Sequence, residues 1–224
     1  IDMVMVSGQG QPYKKFMRLL KESVEEGSIP LARIDDAVKR ILKVKIRNGL
    51  FDNPLVENDA LKVIGSDAHR DIARQAVRES LVLLKNNNNL LPLNPSLKIG
   101  VIGAAAQEIR YQTGGWTLDW QGKNNKNSDF PNVRSIYQSI QAFVKDAGGT
   151  IEFSKNGSFN EKPDVVISVF GEEPYAEGFG DIKNLNFSKQ NIHNIQLMKK
   201  YAKEGIKVVS LFITGRPLIV DEEI

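Results

Sequence analysis

The chain has 224 residues, 41% of them hydrophobic and 25% charged, enough to bury a full-sized core with one domain and extra helices. Its 30 basic and 27 acidic residues leave a net charge of +3 without long like-charge runs, so neither nucleic-acid nor membrane-surface binding is indicated. With no cysteine there is no disulfide or thiolate metal site, and no apolar run approaches the roughly 18 residues that cross a bilayer.

Ile1 to Val6 reads as the end of a buried strand, and Tyr13 to about Glu26 as a helix with Phe16, Leu19, Leu20 and Val24 on one stripe. A second helix carries Ile34, Ala37, Val38, Ile41 and Leu42 at helical spacing, with Gly49 placed for a left-handed cap. Residues 51–65, with Pro54 and few periodic apolar positions, read as a linker. Ser66 is an N-cap for a helix through about Arg78 that turns Ile72, Ala73, Ala76 and Val77 inward.

From there strands and helices alternate. Strands are expected near Leu81 to Leu84, Lys98 to Ile102, Thr150 to Phe153, Val165 to Phe170 and Lys207 to Phe212, with helices near Arg134 to Ala147 and Ser188 to Lys203. Short apolar strands separated by amphipathic helices specify an α/β fold, an α/β/α sandwich with a mostly parallel sheet. The run Gly100 to Gly103 lacks the glycine spacing of a dinucleotide loop, which argues against a nucleotide site. The chain starts inside a strand-like run and stops after Pro217-Leu218-Ile219-Val220, so both ends read as cut from a longer protein.

Two loops hold the chemistry-bearing side chains. Glu172, Glu173, Glu177 and Asp181 follow the apolar run Val165 to Phe170, at the strand edge where open α/β sheets collect ligand groups. From spacing alone, a solvated acidic loop is the simpler account of them. Gly114 to Gly122 holds both tryptophans, Trp116 and Trp120, beside Asp119 and Gln121. Flat indole faces flanked by hydrogen-bonding groups suit sugar rings, and two core anchors under a long loop fit the pattern equally well. His69 and His193 lie too far apart in the pattern to suggest a metal pair. Asp2 reads as a loop-fixing carboxylate, and Arg216 either bridges domains or bonds local carbonyls.

The chain resembles the C-terminal part of a glycoside hydrolase of family 3, in its β-glucosidase and exo-β-glucanase branch. The resemblance rests on Ile1-Asp2-Met3-Val4-Met5, Arg40-Ile41-Leu42 with Gly49-Leu50-Phe51, and His69-Arg70 through Ala76. It continues through Glu79 to Asn86, Leu91-Pro92-Leu93, the Gly114 to Gly122 loop, Gly171 to Asp181 and Gly215-Arg216-Pro217, all in the family's order.

That resemblance implies a (β/α)8 barrel, then a linker, then a sandwich domain, with the active site where they meet. Residues 1–50 would be the barrel's last strand and closing helices, 51–65 the linker, and 66–224 a C-terminally incomplete sandwich. It implies retaining hydrolysis of terminal β-linked glucose by two carboxyl groups about 5–5.5 Å apart, without a cofactor. The nucleophilic aspartate would lie on barrel sequence that this chain lacks. Glu177 is implied as the acid/base, with Glu172 and Glu173 as its rivals and with a pKa raised by burial beneath substrate and by the nucleophile; Glu172, directly after the strand, reads rather as fixing the loop through backbone amides. Trp120 and Trp116 are implied as substrate-binding walls. The partners implied are β-linked glucosides or gluco-oligosaccharides and the barrel, with neither nucleic acid nor membrane, and the location implied is the periplasm or secretion. A non-catalytic carbohydrate-binding α/β module is the alternative.

Overall fold

The computed structural model describes residues 1–55, 58–187 and 191–220. The chain divides into two compact units, Ile1–Val82 and Leu83–Ile224.

The first unit is helical. Helix α1 spans Pro12–Glu25 and starts on a proline, whose missing N–H costs nothing in the first turn. Helix α2, Leu31–Arg47, ends as the sequence predicts: Gly49 takes a φ of 64°, and the Leu50 and Gly49 amides donate to the carbonyls of Lys45 and Ile46. These paired bonds satisfy carbonyls that the helix leaves open. The connector contains a 3-10 segment at Asn58–Val63, and helix α3 spans Asp67–Ser80 with the Ser66 hydroxyl accepting from the His69 amide. Asp2 holds Arg33 at 2.5 Å and Arg40 at 3.0 Å, a fixing role consistent with its expected one.

Two expected strands are not formed. Residues 1–6 and 81–84 carry no sheet pairing among the described residues. Leu81, Val82, Leu83 and Leu84 are 62–76% exposed immediately beyond α3. An apolar run has the composition of a strand, but a strand also needs a partner backbone, which composition cannot supply.

The second unit is built on strand β1, Lys98–Ile102, followed by the single-turn helix α4, Arg110–Thr113, and helix α5, Ile136–Asp146. Ser135 and Gln138 form a reciprocal capping box at the start of α5. Strand β2, Thr150–Phe153, strand β3, Val165–Gly171, helix α6, Ile192–Lys203, and strand β4, Lys207–Ile213, complete it. The expected start of α6 at Ser188 falls on residues outside those described. All four strands are parallel, in the order β2-β1-β3-β4.

Alternation along the strands sends side chains to two cores. Val101, Val165, Ile167 and Val169 pack with Val144 of α5 on one face. Ile102 and Val166 pack with Leu197 and Tyr201 of α6 on the other. Helices therefore cover both faces, as expected of an α/β/α arrangement, and every residue of β3 is buried.

The strand order also fixes where a site can form. From β1 the chain crosses to β2 on one side, then returns to β3 and moves outward to β4 on the other. The connections after β1 and β3 lead to opposite sides of the sheet, and it is at the carboxyl ends of such a strand pair that ligands bind in open α/β sheets. Residues 103–122 and 171–181 leave from those two ends.

Candidate active site

The loop after β1 is held in an unusual shape. Trp116 and Leu118 both take φ values of 58°, a region that bulky side chains avoid. The Trp116 amide donates to the Trp120 carbonyl at 2.8 Å, and buried Asn125 donates to the Thr117 carbonyl at 2.6 Å. These bonds hold the strained residues in place. Trp116 remains 70% exposed and Trp120 46% exposed, with ring centroids 6.2 Å apart and planes tilted by 51°. Neither indole is a core anchor of this chain.

The two loops meet backbone to backbone. A Cβ on Gly115 would lie 2.1 Å from the Tyr175 carbonyl oxygen, so only glycine permits this approach. Gln121 then spans the gap: its Oε1 accepts from the Ala176 amide at 2.8 Å and its Nε2 donates to the Glu177 carbonyl at 3.1 Å. Gln121, noted in the sequence as a possible sugar contact, is thus committed to the neighbouring loop. The Trp116 indole donates to Glu177 Oε2 at 2.8 Å. Glu177, Trp116 and Trp120 are thereby brought to one exposed surface.

The other carboxylates of the acidic loop have different surroundings. Glu172, only 14% exposed at its side chain, takes hydrogen bonds from Thr214 Oγ1 at 2.7 Å and Tyr175 Oη at 3.3 Å and pairs with Arg216 at 3.3 Å. It fixes the loop through side chains rather than through the expected backbone amides. Arg216 pairs within its own unit and bonds the Gly180 carbonyl. Glu173 receives Arg110 at 3.3 Å and the Tyr111 hydroxyl at 3.5 Å. The Asp181 amide closes a turn on the Gly178 carbonyl.

Sequence reasoning passed over Phe179, whose ring stands edge-on to Trp120 at 6.4 Å and is 72% exposed. A phenylalanine between two glycines in a polar loop was the available signal. It also passed over Arg110, which lies in a helix of four residues, too short to show a period. No cluster of three or more His, Asp or Glu side chains that could hold a metal occurs among the described residues.

The Glu177 carboxyl lies below the ordinary carboxylate range, principally because the Trp116 N–H bonds its anion, aided by its own backbone amide and the Trp120 indole. The raised pKa expected of Glu177 belongs to a carboxyl covered by substrate and facing the nucleophile; in this chain the N–H donors favour the charge more than the slight burial opposes it. A lowered folded-state pKa adds stability above the unfolded-state value, and that stability is lost as pH falls through the folded value. Trp116→Phe removes the main donor, so the Glu177 titration should move upward, as followed by carboxyl carbon NMR. A titration unmoved by this change would assign the shift to another donor.

The glycosyl hydrolase family 3 C-terminal domain matches residues 81–223. The chain is 33% identical to the lysosomal beta glucosidase of Dictyostelium discoideum, aligning over 100% of this chain and 29% of that protein. It is 36% identical to the periplasmic beta-glucosidase of Salmonella typhimurium, over 100% of this chain and 32% of the relative. Among solved structures, the exo-1,3/1,4-beta-glucanase from a Pseudoalteromonas species superposes with a TM-score of 0.90 at 44% identity, covering 100% of this chain and 28% of that one. The beta-glucosidase from Listeria innocua in complex with glucose gives 0.69 at 28% identity, covering 91% and 28%. The chain therefore spans about a third of the length of the curated relatives it matches. On the strength of a match that covers nearly the whole second unit, with its parallel sheet and its two converging loops, the chain belongs to glycosyl hydrolase family 3.

Proposed function

We propose that this chain is the part of a retaining β-glucosidase or exo-β-glucanase that supplies the acid/base carboxyl, Glu177, and two sugar-stacking faces, Trp120 and Trp116. The nucleophilic aspartate and the (β/α)8 barrel that carries it belong, in this reading, to sequence outside the chain. The observation that carries the proposal is the contrast among three glutamates. Glu172 is bound to Arg216 and Glu173 to Arg110, whereas Glu177 stands exposed beside Trp116 with no cationic partner among the described residues.

The chemistry asks two things of that carboxyl. In the first step it protonates the departing glycosidic oxygen, and in the second it takes a proton from water. The Trp116 bond favours the anion, which is the form the second step requires. For the first step, a sugar stacked over the indoles would exclude water and a nearby nucleophile carboxylate would add like charge, both of which push the pKa up. The substrates proposed are β-linked glucosides and gluco-oligosaccharides, the class named for the relatives, and the proposed location is the periplasm or the exterior, as in the Salmonella relative.

The reading is tested by assaying the full-length product of the encoding gene against β-linked disaccharides. Release of glucose with retained configuration is expected, and binding without cleavage would instead favour a non-catalytic module. Trp120→Ala in that protein removes roughly 1.5–3 kcal/mol of apolar contact. The Michaelis constant for a gluco-oligosaccharide should therefore rise by roughly 10–100-fold. An unchanged constant would remove Trp120 from the sugar-binding surface.

A further inference from the structure

We propose that Arg216 is a positioning residue for Glu177, its guanidinium gripping both ends of the turn that carries that carboxylate. Arg216 Nε donates to the Tyr175 hydroxyl at 2.6 Å, and Nη1 donates to the Gly180 carbonyl at 2.6 Å. Tyr175 and Gly180 bracket Glu177 in sequence, and the turn between them closes through the Gly180 amide on the Ala176 carbonyl at 2.8 Å. The guanidinium also lies 3.8 Å over the centre of the Tyr175 ring. Burial keeps the Tyr175 phenol neutral by pushing its pKa up, so it can accept from Arg216 while donating to Glu172.

The root of the arginine is firm. Arg216 follows β4 by three residues, and the hydroxyl of Thr214 accepts from its amide at 3.2 Å and reaches Glu172 at 2.7 Å. Its side chain is only 17% exposed. The turn it grips contains Gly178 at a φ of 82° and has no regular structure of its own. A planar fork of fixed donors holds two separate acceptors at a set distance and angle, which the compact ammonium of lysine on its flexible stem does not impose. Arg216 thus transmits the fixed position of the sheet to the carboxylate without touching the substrate.

The inference rests on the acid/base reading of Glu177 for its consequence in turnover, but the grip itself can be measured without turnover. Arg216→Lys keeps the charge beside Glu172 and removes the fork. Because the chain has only two tryptophans, its emission reports protonation of the carboxyl bonded to Trp116, and loss of the transition in Glu177→Gln identifies it. The midpoint should move upward in Arg216→Lys, and by less in the milder Tyr175→Phe, with unchanged far-ultraviolet circular dichroism. An unmoved midpoint in both folded variants overturns the proposal.

In the full-length product, Arg216→Lys should lower kcat on β-linked disaccharides by up to about 10²-fold with little change in KM, the cost of a displaced catalytic group. The same change made in Glu177→Ala should cost almost nothing further. A full additional loss there would show that Arg216 acts on the fold at large, which also overturns the proposal. If instead Glu177→Ala alone left turnover intact, the acid/base reading would fail, and the emission midpoint would still decide the grip of Arg216.

Discussion

Glu177→Ala in the full-length protein is expected to lower kcat/KM on β-linked disaccharides by roughly 10²–10⁴-fold, the usual worth of a positioned general acid/base. The effect follows from the leaving group. A sugar alkoxide is a poor leaving group, and its departure requires a proton delivered at the glycosidic oxygen. Glu172 should not substitute for the missing carboxyl, because the Thr214 and Tyr175 hydroxyls and the Arg216 guanidinium already occupy its oxygens. Glu173 is likewise held by Arg110. Glu172→Gln therefore makes an informative comparison: it should loosen the loop and lower the melting temperature, and its loss of activity should be similar for all leaving groups. Equivalent kinetic signatures for the two variants would contradict the division of roles.

The largest expected effect on stability lies at Phe170, which is 2% exposed near the end of β3. Its ring packs edge-on against Phe212 at 5.4 Å and Phe187 at 5.9 Å, and those two rings meet each other at 4.9 Å. Phe170→Ala removes one member of this cluster and leaves a cavity beneath the start of the acidic loop, at a cost of about 3–5 kcal/mol. With a slope of about 2 kcal/mol/M, the urea midpoint should fall by roughly 2 M. Phe143→Ala on α5 is the control, since that ring is 68% exposed and its loss should change stability by no more than about 0.5 kcal/mol. Similar shifts for the two variants would mean that the aromatic cluster does not hold the end of the sheet.

Much of the fold was legible because local signals and global packing agree. The strands at Lys98–Ile102 and Thr150–Phe153 fall on the expected residues, as do the Gly49 cap and the Ser66 N-cap. The Leu81 to Leu84 run misled because hydrophobicity without a partner strand does not make a ladder. At the site, residue types and loop positions were readable, since a strand end and a pair of tryptophans leave marks within a few residues. Partnerships across distance were not. The Glu172 contact with Thr214 joins residues 42 apart, and the Trp116 contact with Glu177 joins residues 61 apart, so spacing along the chain carries no trace of either. The downward shift of Glu177 in this chain left no trace in the sequence for the same reason, because it depends on an indole supplied by another loop.

Glu177 has the proposed role only if it delivers the proton to the leaving oxygen. The direct measurement is kcat/KM of the full-length protein and of Glu177→Ala on a series of aryl β-glucosides whose phenols span a wide range of acidity. The variant should show a much steeper dependence on phenol acidity, losing little on the most acidic phenols and most on the least acidic. Parallel dependences, with the same loss at every leaving group, would contradict the assignment.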